Sequence, residues 1–186
     1  SFANMLYLTL TGRNDHSSTL PADNNSFFYP SASLSFVFTE ALGLSNSKAF
    51  PYGKLRVSVA QVGHAAPLYA LENYYAQTTA GDGWTAGIAF PLPDATGTST
   101  TAYSNSATWG NPRLKPEKVT SFEIGADLRF VNNRIGLDVT YYQSKSVDQI
   151  IPAPIAGSTG YQQQYLNSGS IENKGFEVAL NLTPVK

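Results

Sequence analysis

The sequence predicts an all-β protein: an antiparallel section of a transmembrane β-barrel, about six strands of a larger barrel, with long extracellular loops. Apolar and polar residues alternate with a period of two in six stretches of about ten residues, and the alternation keeps its phase across a turn at Asn132-Asn133. Long connections also alternate with shorter ones. A period of two sends one class of side chain to each face of a strand. A stretch of about ten residues suits a tilted membrane-crossing strand better than the five or six usual in soluble sheets. No window keeps a helical period.

The first strand is expected from about Asn4 to Arg13, where Leu6, Leu8 and Leu10 oppose Tyr7, Thr9, Thr11 and Arg13. The second, from about Phe28 to Glu40, sets Leu34, Phe36 and Phe38 against Ser33, Ser35, Val37 and Thr39. The third, Lys54 to Val62, carries Leu55, Val57 and Val59 opposite Lys54, Arg56, Ser58 and Ala60. The fourth and fifth form the hairpin. Thr120, Phe122, Ile124, Ala126, Leu128 and Phe130 share one face upstream of its turn, with Ser121, Glu123, Gly125, Asp127 and Arg129 on the other. Downstream, Ile135, Leu137, Val139 and Tyr141 oppose Arg134, Gly136, Asp138 and Thr140. A two-residue turn pairs Phe130 with Ile135, Leu128 with Leu137 and Ala126 with Val139, so turn geometry and hydrophobic pattern demand one register. The sixth strand, from about Asn173, sets Phe176, Val178, Leu180 and Leu182 against Glu177, Ala179, Asn181 and Thr183.

The long links Asn14 to Ser26, Gly63 to Lys118 and Pro152 to Glu172 alternate with Ala41 to Gly53 and Asn132 to Asn133. Outer-membrane barrels alternate extracellular loops and periplasmic turns in this way, which puts both chain ends on the periplasmic side. Lys145, Glu172 and Lys174 interrupt the apolar face toward the loops, where they are expected above the bilayer at the extracellular rim. The stretch 63–118 is the long extracellular loop region, and its length argues for hairpin or lid structure of its own.

Composition narrows the function. Charged residues make up 13% of the chain and aromatic residues 12%, with a net charge of -1. The charged share is about half the usual 25% of a soluble domain. Near-neutrality gives no reason to expect nucleic acid as a partner. There is no cysteine, so disulfides and thiolate metal sites are excluded. No apolar run approaches the roughly 20 residues of a membrane-spanning helix, so any span is made of strands. The start, Ser1-Phe2-Ala3-Asn4, lacks the basic and apolar regions of a signal peptide, and the chain reads as a mature piece or an internal fragment.

Glu123, Asp127, Asp138 and Glu177 invite a glycosidase reading, because paired carboxylates can act as acid and base. The register instead explains them as the polar wall of a lumen, shared with Lys54 and Arg56. Asp127 falls opposite Asp138, a like-charge pair that is destabilising unless screened. Arg129 and Arg134 share that face, so Asp127, Arg129, Arg134 and Asp138 are expected to form a charge cluster near the periplasmic end. The long loop carries Tyr69, Tyr74, Tyr75, Trp84, Phe90, Tyr103 and Trp109. Aromatic faces of this kind pack a loop, stack on sugar rings or anchor a partner. Phe27, Phe28, Tyr29, Tyr141 and Tyr142 suit either an interfacial girdle or packing under the loops.

Pro112 and Pro116 fix an extended approach to the fourth strand. His16 and His64 lack ligand-like spacing, and no cofactor is expected. Gly81-Asp82-Gly83 reads as a turn and not as a phosphate loop. Asn24 and Asn181 begin short glycosylation-type matches that chance explains. The competing architecture is a soluble carbohydrate-binding β-sandwich whose apolar face is a protein core.

The run Trp109-Gly110-Asn111-Pro112-Arg113-Leu114-Lys115-Pro116-Glu117, leading into Ser121-Phe122-Glu123-Ile124-Gly125-Ala126-Asp127-Leu128, resembles the SusC/RagA family of TonB-dependent outer-membrane transporters. So do Asn132-Asn133-Arg134, Asp138-Val139-Thr140-Tyr141-Tyr142 and Asn167-Ser168-Gly169-Ser170-Ile171-Glu172-Asn173-Lys174-Gly175-Phe176-Glu177. Thr11-Gly12-Arg13-Asn14-Asp15, Phe27-Phe28-Tyr29-Pro30-Ser31 and Tyr52-Gly53-Lys54-Leu55-Arg56 look like the same family. The resemblance implies a bacterial outer-membrane barrel of about 22 strands, an N-terminal plug, a segment contacting TonB and a SusD-like surface lipoprotein. It implies import of nutrients such as oligosaccharides or peptides, without enzymatic cleavage. The plug and the TonB box are expected to be absent from these residues, which read as residues 1–186 of a barrel domain bordered by the rest of that barrel and by lipid.

Overall fold

The computed structural model describes residues 1–78, 84, 87–88, 90–93 and 96–184. Its strands run in the order β1 (Leu6–His16), β2 (Ser26–Val37), β3 (Tyr52–His64), β4 (Tyr75–Gln77), β5 (Leu92–Pro93), β6 (Ser99–Thr100) and β7 (Tyr103–Asn105). They continue as β8 (Thr108–Trp109), β9 (Glu117–Phe130), β10 (Ile135–Val147), β11 (Ile150–Pro154), β12 (Gln163–Asn167) and β13 (Ser170–Leu182). One helical turn, α1 (Phe38–Ala41), lies between β2 and β3. Gly81-Asp82-Gly83 lies outside the described residues.

The six long strands form one antiparallel sheet in the order β1-β2-β3-β9-β10-β13. They are 11 to 14 residues long. At about 3.3 Å per residue and a tilt near 45°, even the shortest rises roughly 25 Å, the height of the apolar band of an outer-membrane barrel.

The central hairpin has the register its sequence demands: Phe130 pairs with Ile135, Leu128 with Leu137, Ala126 with Val139 and Asp127 with Asp138. The Arg134 N–H donates to the Val131 carbonyl at 3.1 Å, and Asn132 and Asn133 have φ of 53° and 64°. Two left-handed central residues match the twist of paired strands, and asparagine tolerates that conformation. Val131 also has φ 52°, a costly position for a β-branched residue. Its N–H donates to the Ala49 carbonyl at 3.0 Å, and the Asn132 N–H donates to the Lys48 carbonyl at 2.9 Å, so the neighbouring link holds the turn.

Two expectations about the strand ends need correction. The second strand stops at Val37, and Phe38 and Thr39 enter α1. Thr39 is buried; its Oγ1 accepts from the Gly53 N–H at 3.1 Å and donates to the Gly53 carbonyl at 3.4 Å. These bonds replace the ladder that a longer strand would need. The Phe38 ring occupies the space that a Cβ on Gly53 would take, and continues into Phe50 and Phe130 with centroid separations of 5.8 and 5.0 Å. The link lengths also differ from the expected alternation. β1 and β2 grow into their loop until only residues 17–25 remain, which is shorter than the helix-bearing link 38–51 on the turn side.

The sheet has one apolar face and one polar face. On the apolar face Leu10 is 69% exposed, Phe176 75% and Val178 66%, with Leu8, Leu55, Val57, Val59, Ile124, Leu180 and Leu182 also open. Among the described residues no second sheet covers this face, so the sandwich architecture is not adopted. The buried core lies instead among the links: Leu20, Ala66, Ala70 and Leu114, flanked by Phe27, Leu71, Ile150 and Tyr165.

Candidate functional site: the polar face and its loop end

β3, β9 and β10 set alternate residues on the polar face, so Lys54 and Arg56 stand beside Asp127 and Asp138. Asp127 Oδ2 lies 3.6 Å from Lys54 Nζ, and Asp127 Oδ1 lies 3.9 Å from Arg129 Nε. Arg56 Nη2 donates to Asp138 Oδ1 at 2.9 Å and to Thr140 Oγ1 at 2.6 Å, while Thr140 Oγ1 donates to Asp138 at 3.1 Å. The guanidinium reaches β10 by crossing β9 at Gly125, which is Arg56's cross-strand partner. A Cβ there would stand 2.6 Å from Arg56 Nε, so only glycine leaves the crossing open. The facing aspartates are thus each matched by a cation from β3.

A cleft of about 310 Å³ lies at the turn end, lined by Asp127, Arg129, Asp138, Asn133, Asn181 and Thr183 among others. Arg134 lies in the turn itself, where its carbonyl accepts from the Thr183 N–H at 2.8 Å. The ion pairs around Asp127 and Asp138 come from Lys54, Arg56 and Arg129 and do not include Arg134. Glu123 is exposed on the polar face opposite Tyr142, and Glu177 is exposed there opposite Thr140. The arrangement can hold a charged or hydrogen-bonding surface in place. Its two facing aspartates, Asp127 and Asp138, are tied to cations.

At the other end, the links fold together. β4 pairs with β7, β5 with β6, and β8 runs parallel to β12 beside β11. Gly110 packs so closely on the Glu72 backbone that a Cβ would lie 2.6 Å from the Glu72 nitrogen, and its N–H donates to Asn73 Oδ1 at 2.8 Å. Asn111 Nδ2 donates to the Tyr165 carbonyl at 2.8 Å. Asn167 Nδ2 donates to the carbonyls of Lys115 (2.8 Å) and Asp148 (2.9 Å), and its Oδ1 accepts from the Lys115 N–H. The two sequence runs around Trp109 and Asn167 therefore belong to one hydrogen-bonded base.

The loop aromatics divide. Trp109 stacks on Tyr161, a residue the sequence reading did not single out, at 5.8 Å, and Tyr69 meets Tyr74 at 5.2 Å. Tyr75 and Tyr103 face outward from β4 and β7, and Trp84 is 94% exposed. The strand-end rings divide as well. Tyr29 is buried on the polar side, donates to the Gly63 carbonyl at 3.1 Å and carries Arg13 over its ring, with Phe27 edge-on beside it. Phe28 covers Gly12 on the apolar face, where Tyr141 meets Phe176 at 5.0 Å.

A single sheet of spanning height, bare on its apolar face and ion-paired on its polar face, defines a section of a membrane β-barrel. Sequence comparison then fixes the family. Residues 1–183 match the family described as "TonB dependent receptor-like, beta-barrel", and the chain belongs to that outer-membrane family. It is 32% identical to TonB-dependent receptor P26 of Formosa agariphila over 182 residues, covering 96% of this chain and 17% of that one. It is 30% identical to TonB-dependent receptor SusC of Bacteroides thetaiotaomicron over 195 residues, covering 100% of this chain and 18% of that one. The chain thus spans less than a fifth of the curated relatives it matches. Among solved structures, the RagAB peptide importer in its closed-closed state aligns with a TM-score of 0.78 at 24% identity, over 98% of this chain and 18% of that one. The siderophore receptor PirA from Pseudomonas aeruginosa aligns at 0.60 and 20% identity, over 96% of this chain and 28% of that one.

Proposed function

We propose that this chain is a wall section of a SusC-like active transporter that imports oligosaccharides, peptides or similar oligomers across the outer membrane. The observation that carries the reading is the two-faced sheet: an apolar side that water penalises by about 25 cal/mol per Å² and lipid does not, backed by a polar side that suits a lumen. The remaining strands of the barrel cover the open edges of β1 and β13, which a bilayer does not tolerate unpaired. The plug occupies the lumen beside Lys54, Arg56, Asp127, Arg129 and Asp138, with Glu123 and Glu177 further along the wall and Arg134 at the periplasmic rim. TonB engages the transporter through a segment outside these residues. The loop region 63–118 faces the outside, where Tyr69, Tyr74, Tyr75, Trp84 and Trp109 contribute to the substrate cavity or to contact with a SusD-like lipoprotein. Kinship to SusC and the fold shared with the RagAB peptide importer support this reading. No bond is broken and no cofactor is used.

The test is uptake. Deleting the gene for the intact transporter should abolish growth on one class of oligomer while leaving growth on its monomers intact, and collapsing the proton gradient should stop uptake in the parent strain. Unchanged uptake of every oligosaccharide and peptide class after deletion would defeat the proposal. Glycan cleavage lost on Glu123→Gln would replace it with an enzyme.

A further inference from the structure

In the outer hairpin of β4 and β7, the register sets Tyr75 opposite Asn105 and Gln77 opposite Tyr103. Side chains alternate along a strand, so these four share one face, with the rings on one diagonal and the amides on the other. Tyr75 is 72% exposed and Tyr103 62%, and Gln77 and Asn105 are open beside them. Among the described residues neither side-chain amide makes a hydrogen bond. Residues 106 and 107 join β7 to β8, where Trp109 lies in an offset stack on Tyr161. Gln163 and Gln164 of β12 donate Nε2 to Thr108 Oγ1 at 3.0 Å and to the Gly110 carbonyl at 3.4 Å, which leaves each Oε1 free to accept. No charged residue occurs in residues 73–81, 95–112 or 149–171. Asp82 and Asp94 lie outside the described residues. Glu72, Arg113, Lys115 and Asp148 belong to the runs that form the base.

Ring faces pack against carbon-bound hydrogens, and amides both donate and accept hydrogen bonds. A saccharide unit answers both demands, with a C–H patch on the face of its ring and hydroxyls around the edge. A peptide brings a terminal ammonium and carboxylate, and an acidic glycan brings carboxylates or sulfates. Sites for such ions supply opposite charge, because stripping an ion of water without it is costly. The hairpin face supplies none. Protein interfaces are enriched in methionine and arginine alongside aromatic residues, and this face has neither.

We infer that the hairpin face of Tyr75, Gln77, Tyr103 and Asn105 is a recognition platform for uncharged oligosaccharide. The tyrosines stack on sugar rings, the two amides read hydroxyls, and the Trp109–Tyr161 stack supplies a second ring surface. This rests on the reading of the chain as part of an oligomer importer and narrows its cargo, because peptides and acidic glycans find no partner for their charges on this face. The hairpin contributes nothing to the buried core of the links, so its rings can be exchanged without unfolding the base.

The experiment is titration calorimetry on the intact full-length transporter in detergent. The probes are maltooligosaccharides, xylooligosaccharides and mannooligosaccharides as uncharged sets, oligogalacturonate as the acidic set, and mixed oligopeptides. An uncharged set should bind best, and Tyr75→Ala/Tyr103→Ala should weaken that binding about tenfold. Tyr75→Phe/Tyr103→Phe, which keeps the ring faces, should retain most of it. Tyr7→Ala, at the turn end of β1, should change nothing. The inference is overturned if no uncharged set binds, or if oligogalacturonate or oligopeptide binds more tightly than every uncharged set. Equal affinity of wild type and the double alanine variant overturns it too, as does an equal loss in Tyr7→Ala or in the double phenylalanine variant. If the double alanine variant instead loses its surface lipoprotein at unchanged sugar affinity, the face is a protein contact. Growth of a deletion strain separates the two readings. A defect confined to peptides or oligogalacturonate refutes the platform and leaves the importer standing, whereas no defect on any oligomer refutes the importer itself.

Discussion

Arg56 and Asp138 are bonded at 2.9 Å although a whole strand, β9, lies between the strands that carry them. The guanidinium passes over Gly125 and neutralises one of two aspartates that face each other across the hairpin. Both side chains are more than a third exposed, so the pair is worth about 0.2–1 kcal/mol, as solvent-screened pairs are. Arg56→Ala should lower stability by that amount, and by less when Asp138→Ala is already present. A double-mutant cycle in increasing salt measures the coupling, which should shrink as salt rises.

Gly125→Ala should cost about 1–3 kcal/mol, because the new methyl meets Arg56 Nε at 2.6 Å and the Val139 carbonyl at 3.2 Å. Much of that cost should vanish in an Arg56→Ala background. Denaturant titrations of the two single variants and the double variant decide it; strict additivity would show that the crossing is not the reason for the glycine.

Adjacent residues on β13 should respond oppositely to the same change. Val178→Arg places a charge on the bare apolar face and should destabilise the assembled barrel by about 2–4 kcal/mol if this depth is near the midplane. Ala179→Arg places it opposite Asp138 on the polar face and should be tolerated. Heat-modifiability of the intact barrel on gels reads both.

Val131→Gly should stabilise the hairpin by up to about 1 kcal/mol. The left-handed φ of 52° costs valine about 1–2 kcal/mol, partly offset by the freedom glycine restores to the unfolded chain. Thermal unfolding of the two forms is the check.

The parts of this fold that could be read from the sequence are those decided locally. The β9–β10 register follows from two strands and the turn between them, so Asp127 facing Asp138 was legible before any coordinates. Arg56 as the partner of Asp138 was not, because β3 and β9 are separated by the link 65–116 and their register is a long-range fact. Alternation likewise carried the second strand through Phe38 and Thr39. Nothing in a period of two signals that Thr39 will hydrogen-bond both sides of Gly53. The core at Leu114 and Ala70 has no period at all. Its signal lay in the asparagines: Asn73 and Asn111, in stretches without strand partners, and Asn167, at the end of β12, use side-chain amides to close backbone bonds between links.

That core draws Leu20, Ala66 with Ala70 and Leu114, and Ile150 with Tyr165 from three separate links. The surface loops of this wall are consequently not free to vary one at a time. A length change at the base of any one of them disturbs the other two, whereas the hairpins β4 with β7 and β5 with β6 contribute no residue to the shared core and can change without breaking it.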